Sequence, residues 1–151
     1  MRIGMIAAAL AATLAAGTAF ANEGVEARQK LMKDIGGNVK GIAGYVKGEN
    51  QETPADVAKR AGMIKANAMK IGGAFGDKIH VENANGVETT ASPMIWDKWD
   101  GFLTAASDLE SAAGALETTA AGGDKAAISA SFAAMTKTCG GCHTTYRVKK
   151  N

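Results

Sequence analysis

Proline and the residues that favour sheets are scarce in this chain. Only two of its 151 residues are proline and only 5% are aromatic, and β-branched residues are sparse beside abundant alanine. Collagen, low-complexity and disordered chains are excluded, because each needs a bias in glycine, proline or charge that this composition lacks. Intrinsic propensity favours helix along almost the whole chain, so we predict an all-α protein.

An excess of charge of one sign is also missing. The chain has 17 lysine and arginine residues against 15 aspartate and glutamate residues, which gives a net charge of +2 at pH 7. Nucleic-acid binding as a main function usually requires a much stronger basic bias. We therefore expect no nucleic-acid partner.

The only long apolar run lies at the N-terminus and has the pattern of an export signal. Arg2 supplies a positive start, residues 3–16 are almost all apolar, and Ala19-Phe20-Ala21 fits the site that signal peptidase cleaves. A membrane anchor is the alternative, but the run is shorter than the roughly 20 residues that span a bilayer. We predict a signal peptide at 1–21, export to the periplasm, and one mature domain at 22–151 without a membrane-inserted segment.

The mature chain divides into four amphipathic segments with apolar residues spaced three and four apart. The first runs from about 23 to 47, and Thr53-Pro54 and Ser92-Pro93 each combine an N-cap with proline at the first helical position. Gly122-Gly123-Asp124 breaks the chain and caps the last helix. Two connections are short, whereas the polar segment 76–91 is long. This pattern predicts an antiparallel four-helix bundle.

The interior of the first helix holds glycine at positions 36, 37, 41 and 44. Each costs about 1 kcal/mol relative to alanine in a helix interior. The close approach of a neighbouring helix or of a flat ligand would account for them.

Both cysteines of the chain lie in the motif Cys139-Gly140-Gly141-Cys142-His143. This is the C-x-x-C-H signature of covalent haem attachment, in which two thiols bond the porphyrin and the adjacent imidazole reaches the iron. On a helix, residues at i, i+3 and i+4 share one face, so the three side chains can meet one macrocycle. We predict one haem c that is attached to Cys139 and Cys142 by two thioether bonds, with His143 as an iron ligand.

Other chemistries explain the cysteines less well. A structural disulfide or a redox-active pair leaves the adjacent histidine unexplained. A zinc site needs about four ligands, and only the distant His80 could join His143. We interpret His80 as an ordinary loop histidine.

The export signal, the four helices and a single motif near the C-terminus, followed by Tyr146-Arg147, together resemble the class II c-type cytochromes, the cytochrome c′ family. In class I cytochromes c the motif lies near the N-terminus instead. The resemblance extends from Arg28 to Lys150 and implies a four-helix bundle with haem near one end. It also implies redox partner proteins in the periplasm and allows a homodimer through the first two helices.

The resemblance assigns further residues around the iron. Four positions after the first-helix arginine, most cytochromes c′ have an apolar residue that cannot bind iron, whereas here Arg28 is followed by Met32, as in the low-spin branch. This implies Met32 as the sixth ligand, and the alternative is a methionine that only packs in the core. By the same resemblance, Arg28 lies near a haem propionate, and Arg147 covers the exposed side of His143.

Three functions remain open to a protein with these features. The first is a periplasmic electron carrier in which His143 and Met32 are the axial ligands. The second is a five-coordinate cytochrome c′ that binds small gases such as NO or CO at an open distal site. The third is a haem enzyme such as a peroxidase, but the sequence shows no distal pair of histidine and arginine, and a bound Met32 would block the site. We expect an electron carrier and not an enzyme.

Overall fold

The structure is a computed structural model that describes residues 7–84 and 86–149, with side chains from Glu23 onward. Within these residues the chain forms helices and one isolated antiparallel bridge, which confirms the predicted all-α class. In this part of the chain no helix is both long and apolar enough to cross a membrane. The helices are α1 (Ala7–Lys47), α2 (Pro54–Ala68), α3 (Ile71–Ala74), α4 (Met94–Asp97), α5 (Trp99–Ala121) and α6 (Lys125–Tyr146).

Helix α1 ends at Lys47, where the sequence pattern predicts the end of the first helix, but it begins much earlier than residue 23. Alanine and leucine have high helix propensity, so the helix continues through most of the segment predicted to be a signal peptide. Residues 1–6 lie outside the described residues. The cleavage after Ala21 stays a prediction.

The predicted start signals of α2 and α6 are confirmed. Thr53 and Asp56 form a capping box, in which the Thr53 amide donates to Asp56 Oδ2 (2.8 Å) and the Asp56 amide donates to Thr53 Oγ1 (3.3 Å). At the start of α6, Asp124 Oδ1 accepts a hydrogen bond from the amide of Ala127 (2.7 Å). These contacts satisfy amides that have no partner inside the helix.

Two of the four predicted helices are each interrupted once. After α2 the chain turns at residues 69–70 and then forms the short α3, which contains the weak helix formers Gly72 and Gly73. Ile71 and Phe75 nevertheless stay buried, so the apolar stripe continues across the turn. The third predicted helix is divided into α4 and α5 at Lys98, whose backbone angles are not helical (φ −127°, ψ 51°).

Helices α1, α2, α5 and α6 form the predicted antiparallel four-helix bundle. Helix α5 packs along both α2 and α6, and α2 packs along α1. The apolar stripes of the four helices meet in one core, and its fully buried members include Ile42, Ile64, Leu116, Ile128 and Met135. Helices α1 and α6 meet only over a short stretch, so the bundle is least closed on that side.

Close contact with neighbouring side chains accounts for Gly41 and Gly44 in α1. A Cβ atom on Gly41 would lie 2.3 Å from Nε of Arg60, and one on Gly44 would lie 2.4 Å from Nδ2 of Asn50. Arg60 belongs to α2, and its guanidinium is paired with Glu52. Gly36 and Gly37 have open space where a Cβ would be placed.

Candidate functional site

The C-x-x-C-H motif lies in the last turns of α6. The thiols of Cys139 and Cys142 are free, half-buried and packed against the core. His143 is exposed, because it lines a cavity that opens to solvent.

The surroundings of the motif keep its ionisable groups neutral. Burial raises the pKa of the Cys139 thiol, and burial together with the neighbouring Cys139 raises the pKa of Cys142. Partial desolvation lowers the pKa of His143, and the positive charge of Arg147 lowers it further. A neutral imidazole is the form that binds a metal ion.

A cavity of about 520 Å³ lies between α1 and the end of α6, at one end of the bundle. This volume is typical of sites for cofactors and other small molecules, and the cavity has the apolar lining with a few polar groups that such sites share. Its lining residues are Val25, Arg28, Gln29, Met32, Lys33, Ile71, Phe75, Glu88, Thr89, Thr90, Ala91, Ile95, Phe102, Cys142, His143, Tyr146 and Arg147.

The cavity brings together predicted site residues from α1 and from the C-terminal part of the chain. Met32 and Arg28 line it from α1, whereas Cys142, His143 and Arg147 line it from the end of α6. Met32 is half-buried and packs against the core, but it also faces this space. A thioether and an imidazole from two different helices therefore share one cavity.

Arg28 has partners that the sequence did not reveal. Its side chain is 4% exposed, and its guanidinium donates to the carbonyl oxygens of Ala74 (2.9 Å) and Ile79 (2.5 Å) and forms an ion pair with Asp77. The guanidinium also lies over the ring of Phe75, with 4.5 Å between Cζ and the ring centroid. Burial lowers the pKa of Arg28 to about 10, so the group stays charged at neutral pH. Arg28 thus anchors the loop after α3 to α1, and its contact with a propionate stays a prediction.

Gly24 leaves space for the Asp77 carboxylate that pairs with Arg28. A Cβ on Gly24 would lie 2.0 Å from Oδ2 of Asp77, so Gly24→Ala displaces the carboxylate that compensates the buried Arg28. We expect Gly24→Ala to destabilise the haem-loaded protein by about 1–2 kcal/mol in denaturant unfolding. Gly36→Ala is the matched control, because nothing lies within 4 Å of its Cβ position, and it should stabilise the protein by about 0.5–1 kcal/mol. Equal stability changes in the two variants would contradict the Asp77 anchor.

Arg147 closes the cavity from the C-terminal side. It follows α6, pairs with Ala91 in the antiparallel bridge, and donates from Nε to Oγ1 of Thr90 (3.2 Å). Thr90 and Gln29 also line the cavity, and the sequence did not predict them as site residues. Loop and helix-surface residues of this kind have no pattern from which sequence alone could have identified them.

His80 lies in the loop and away from the cavity lining, as expected of an ordinary loop histidine. Its ring centroid is 5.6 Å from that of Trp96, and its Nδ1 accepts a hydrogen bond from the amide of Glu82 (3.3 Å). Trp96 in turn donates from Nε1 to the carbonyl of Phe75 (2.7 Å). These contacts help to hold the loop against α4.

A four-helix bundle in which a C-x-x-C-H helix borders an apolar cavity defines a c-type haem protein, a cytochrome. The chain belongs to the cytochrome c′ family, since the sequence model of that family matches residues 23–147. The chain is 35% identical over 144 residues to cytochrome c-556 of Agrobacterium fabrum, with 95% of this chain and 94% of the relative covered. It is also 35% identical over 124 residues to cytochrome c′ of Pararhodospirillum photometricum, with 82% and 94% covered.

Solved structures agree with this membership. An NMR-validated structural model of oxidised R. palustris cytochrome c556 superposes with a TM-score of 0.75 at 26% identity and covers 85% of this chain and 98% of that chain. The cofactor of a protein in this family is haem c with its iron, and the residues present fit it. Cys142 and His143 face a cavity of suitable size, and Cys139 lies one turn earlier on the same helix.

Proposed function

We propose that this protein is an electron carrier in which His143 and Met32 are the two axial ligands of the haem iron. One observation carries the proposal: the side chains of Met32 on α1 and His143 on α6 line the same cavity. Iron with one imidazole and one thioether ligand can change between its ferric and ferrous states without binding a substrate, and the soft thioether raises the potential. We therefore assign no catalytic residue to this chain.

The attachment residues of the proposal are Cys139 and Cys142. Their chemistry requires reduced thiols and haem together outside the cytoplasm, which agrees with the export signal predicted at residues 1–21. We propose that the mature protein begins at Asn22 and carries electrons between other redox proteins in the periplasm.

The absorption spectrum of the oxidised protein tests the axial ligands directly. Coordination by both His143 and Met32 produces low-spin ferric iron and its characteristic spectrum. A high-spin, five-coordinate spectrum would contradict the proposal and would instead support a protein that binds small gases such as NO or CO at an open sixth position.

A basic rim beside the motif is the proposed docking surface for a redox partner. We define this rim by Lys137, Arg147, Lys149 and Lys150; the first three are exposed, and Lys150 lies outside the described residues. Cations near the C-terminal end of a helix also interact favourably with the helix dipole, and this is the alternative explanation of the rim. Steering of an acidic partner changes the rate of association, whereas a dipole effect changes stability.

Reversal of two rim charges distinguishes these explanations. Lys149→Glu combined with Lys150→Glu should slow electron exchange with an acidic partner by about tenfold at low ionic strength. The difference in rate from the wild-type protein should disappear as added salt shortens the Debye screening length below about 8 Å. The control is Lys40→Glu with Lys59→Glu, which changes the net charge equally at exposed positions that do not line the cavity. Exchange at the wild-type rate in the rim variant, measured by stopped flow, would leave only the helix-end explanation.

A further inference from the structure

The two helices that supply the axial ligands in the proposed function scarcely touch each other. Helices α1 and α6 are instead connected through a segment of the long loop, residues 88–92, which we name the brace. On the α1 side, Nε2 of Gln29 donates a hydrogen bond to the main-chain carbonyl of Glu88 (2.7 Å). This bond attaches the brace to the helix that carries Met32.

On the other side, the brace is attached to the end of α6 by several bonds. Ala91 pairs with Arg147 in the isolated antiparallel bridge, and the amide of Val148 donates to the carbonyl of Thr90 (2.9 Å). Nε of Arg147 adds a bond to Oγ1 of Thr90 (3.2 Å). The brace is therefore fixed to α6 by main-chain pairing, and the Gln29 side chain attaches it to α1.

Gln29 is suited to control the position of Met32. The two residues are three positions apart on α1, so they are neighbours on one helix surface, and both line the cavity. Gln29 is exposed, so its side chain contributes little to the core. Loss of its amide would weaken the attachment of α1 to the brace and leave the buried stripe of α1 in place.

We propose that Gln29 is a positioning residue, whose hydrogen bond to the Glu88 carbonyl holds α1 at the separation from α6 at which Met32 stays bound to iron. Loss of this bond raises the fraction of molecules in which Met32 has dissociated and the sixth position is open. The proposal rests on the proposed function, since it requires Met32 to be the ligand.

Carbon monoxide binding to the reduced protein measures the open fraction. The gas can bind only when Met32 is off the iron, so its observed association rate is proportional to that fraction. A neutral hydrogen bond of ordinary strength corresponds to a change of about three- to tenfold in such an equilibrium. We expect Gln29→Ala to bind carbon monoxide faster by about this factor, with an almost unchanged midpoint of thermal unfolding.

Two further variants make the test specific. Gln29→Glu keeps the length of the side chain but replaces the donor by a carboxylate, so it should raise the rate in the same direction. Gln51→Ala is the matched control, because Gln51 is an exposed glutamine in the turn between α1 and α2, and it should bind at the wild-type rate.

The outcomes separate this inference from the proposed function. Faster carbon monoxide binding in both Gln29 variants but not in Gln51→Ala supports the positioning role. In the oxidised Gln29 variants, the absorption band of the bond between the Met32 thioether and ferric iron should also be weaker. Wild-type rates in both Gln29 variants of a protein with a low-spin spectrum would overturn the inference alone. A rate increase that Gln51→Ala shares would also overturn it. A high-spin wild-type spectrum would overturn the proposed function and this inference together.

Discussion

Replacement of Met32 by leucine or alanine is expected to convert the oxidised protein from low-spin to high-spin. Neither side chain can coordinate iron, so the sixth position that we assign to Met32 becomes open in both variants. We expect the reduction potential to fall by on the order of 0.1 V, because a neutral soft ligand that favours ferrous iron is lost. The reduced variants should bind carbon monoxide faster than the wild-type protein, in which Met32 must first dissociate from the iron.

The leucine variant separates ligation from packing. Leucine and methionine have similar volumes, so Met32→Leu should cost less than about 1.5 kcal/mol of folding stability, whereas its spectrum should change completely. Met63→Ala is a control at an exposed methionine on α2 that does not line the cavity, and it should retain the wild-type spectrum. An unchanged spectrum in Met32→Leu would mean that Met32 only packs in the core.

Loss of both cysteines is expected to abolish the retention of haem after denaturation. Each thiol adds across one vinyl double bond, so that sulfur bonds to one carbon and hydrogen is transferred to the other. Cys139→Ala or Cys142→Ala should therefore leave haem attached at a single point, whereas the double variant should release all of its haem. A denaturing gel stained for haem-dependent peroxidase activity measures the retained fraction.

The wild-type protein provides the decisive comparison in that experiment. It should keep its haem through denaturation, since thioether bonds do not depend on the folded cavity. Complete release of haem from the denatured wild-type protein would contradict covalent attachment, even though the cavity and His143 could still bind the cofactor when folded. The single variants then show whether both sulfurs take part, as the location of both half-buried thiols on α6 leads us to expect.

The local features of the fold could be predicted because they depend on residues within about one helical turn. The capping box of Thr53 and Asp56, the cap at Asp124 and the apolar stripes of the four helices all follow this rule. The interruptions after α2 and at Lys98 could not be predicted in this way. They depend on the balance between weak local propensities and packing against the rest of the bundle, which no pattern within one helical turn contains.

For the site, the sequence by itself determined the haem-attachment motif, because the spacing of Cys139, Cys142 and His143 on one helix is sufficient to define it. It also placed Met32 one turn after Arg28. Only the tertiary structure decided that Met32 and His143 line one cavity, that Arg28 is held by Asp77, and that the brace connects α1 to α6. These contacts join residues far apart in the chain, and their geometry depends on how the helices and the long loop pack together, which no local pattern encodes.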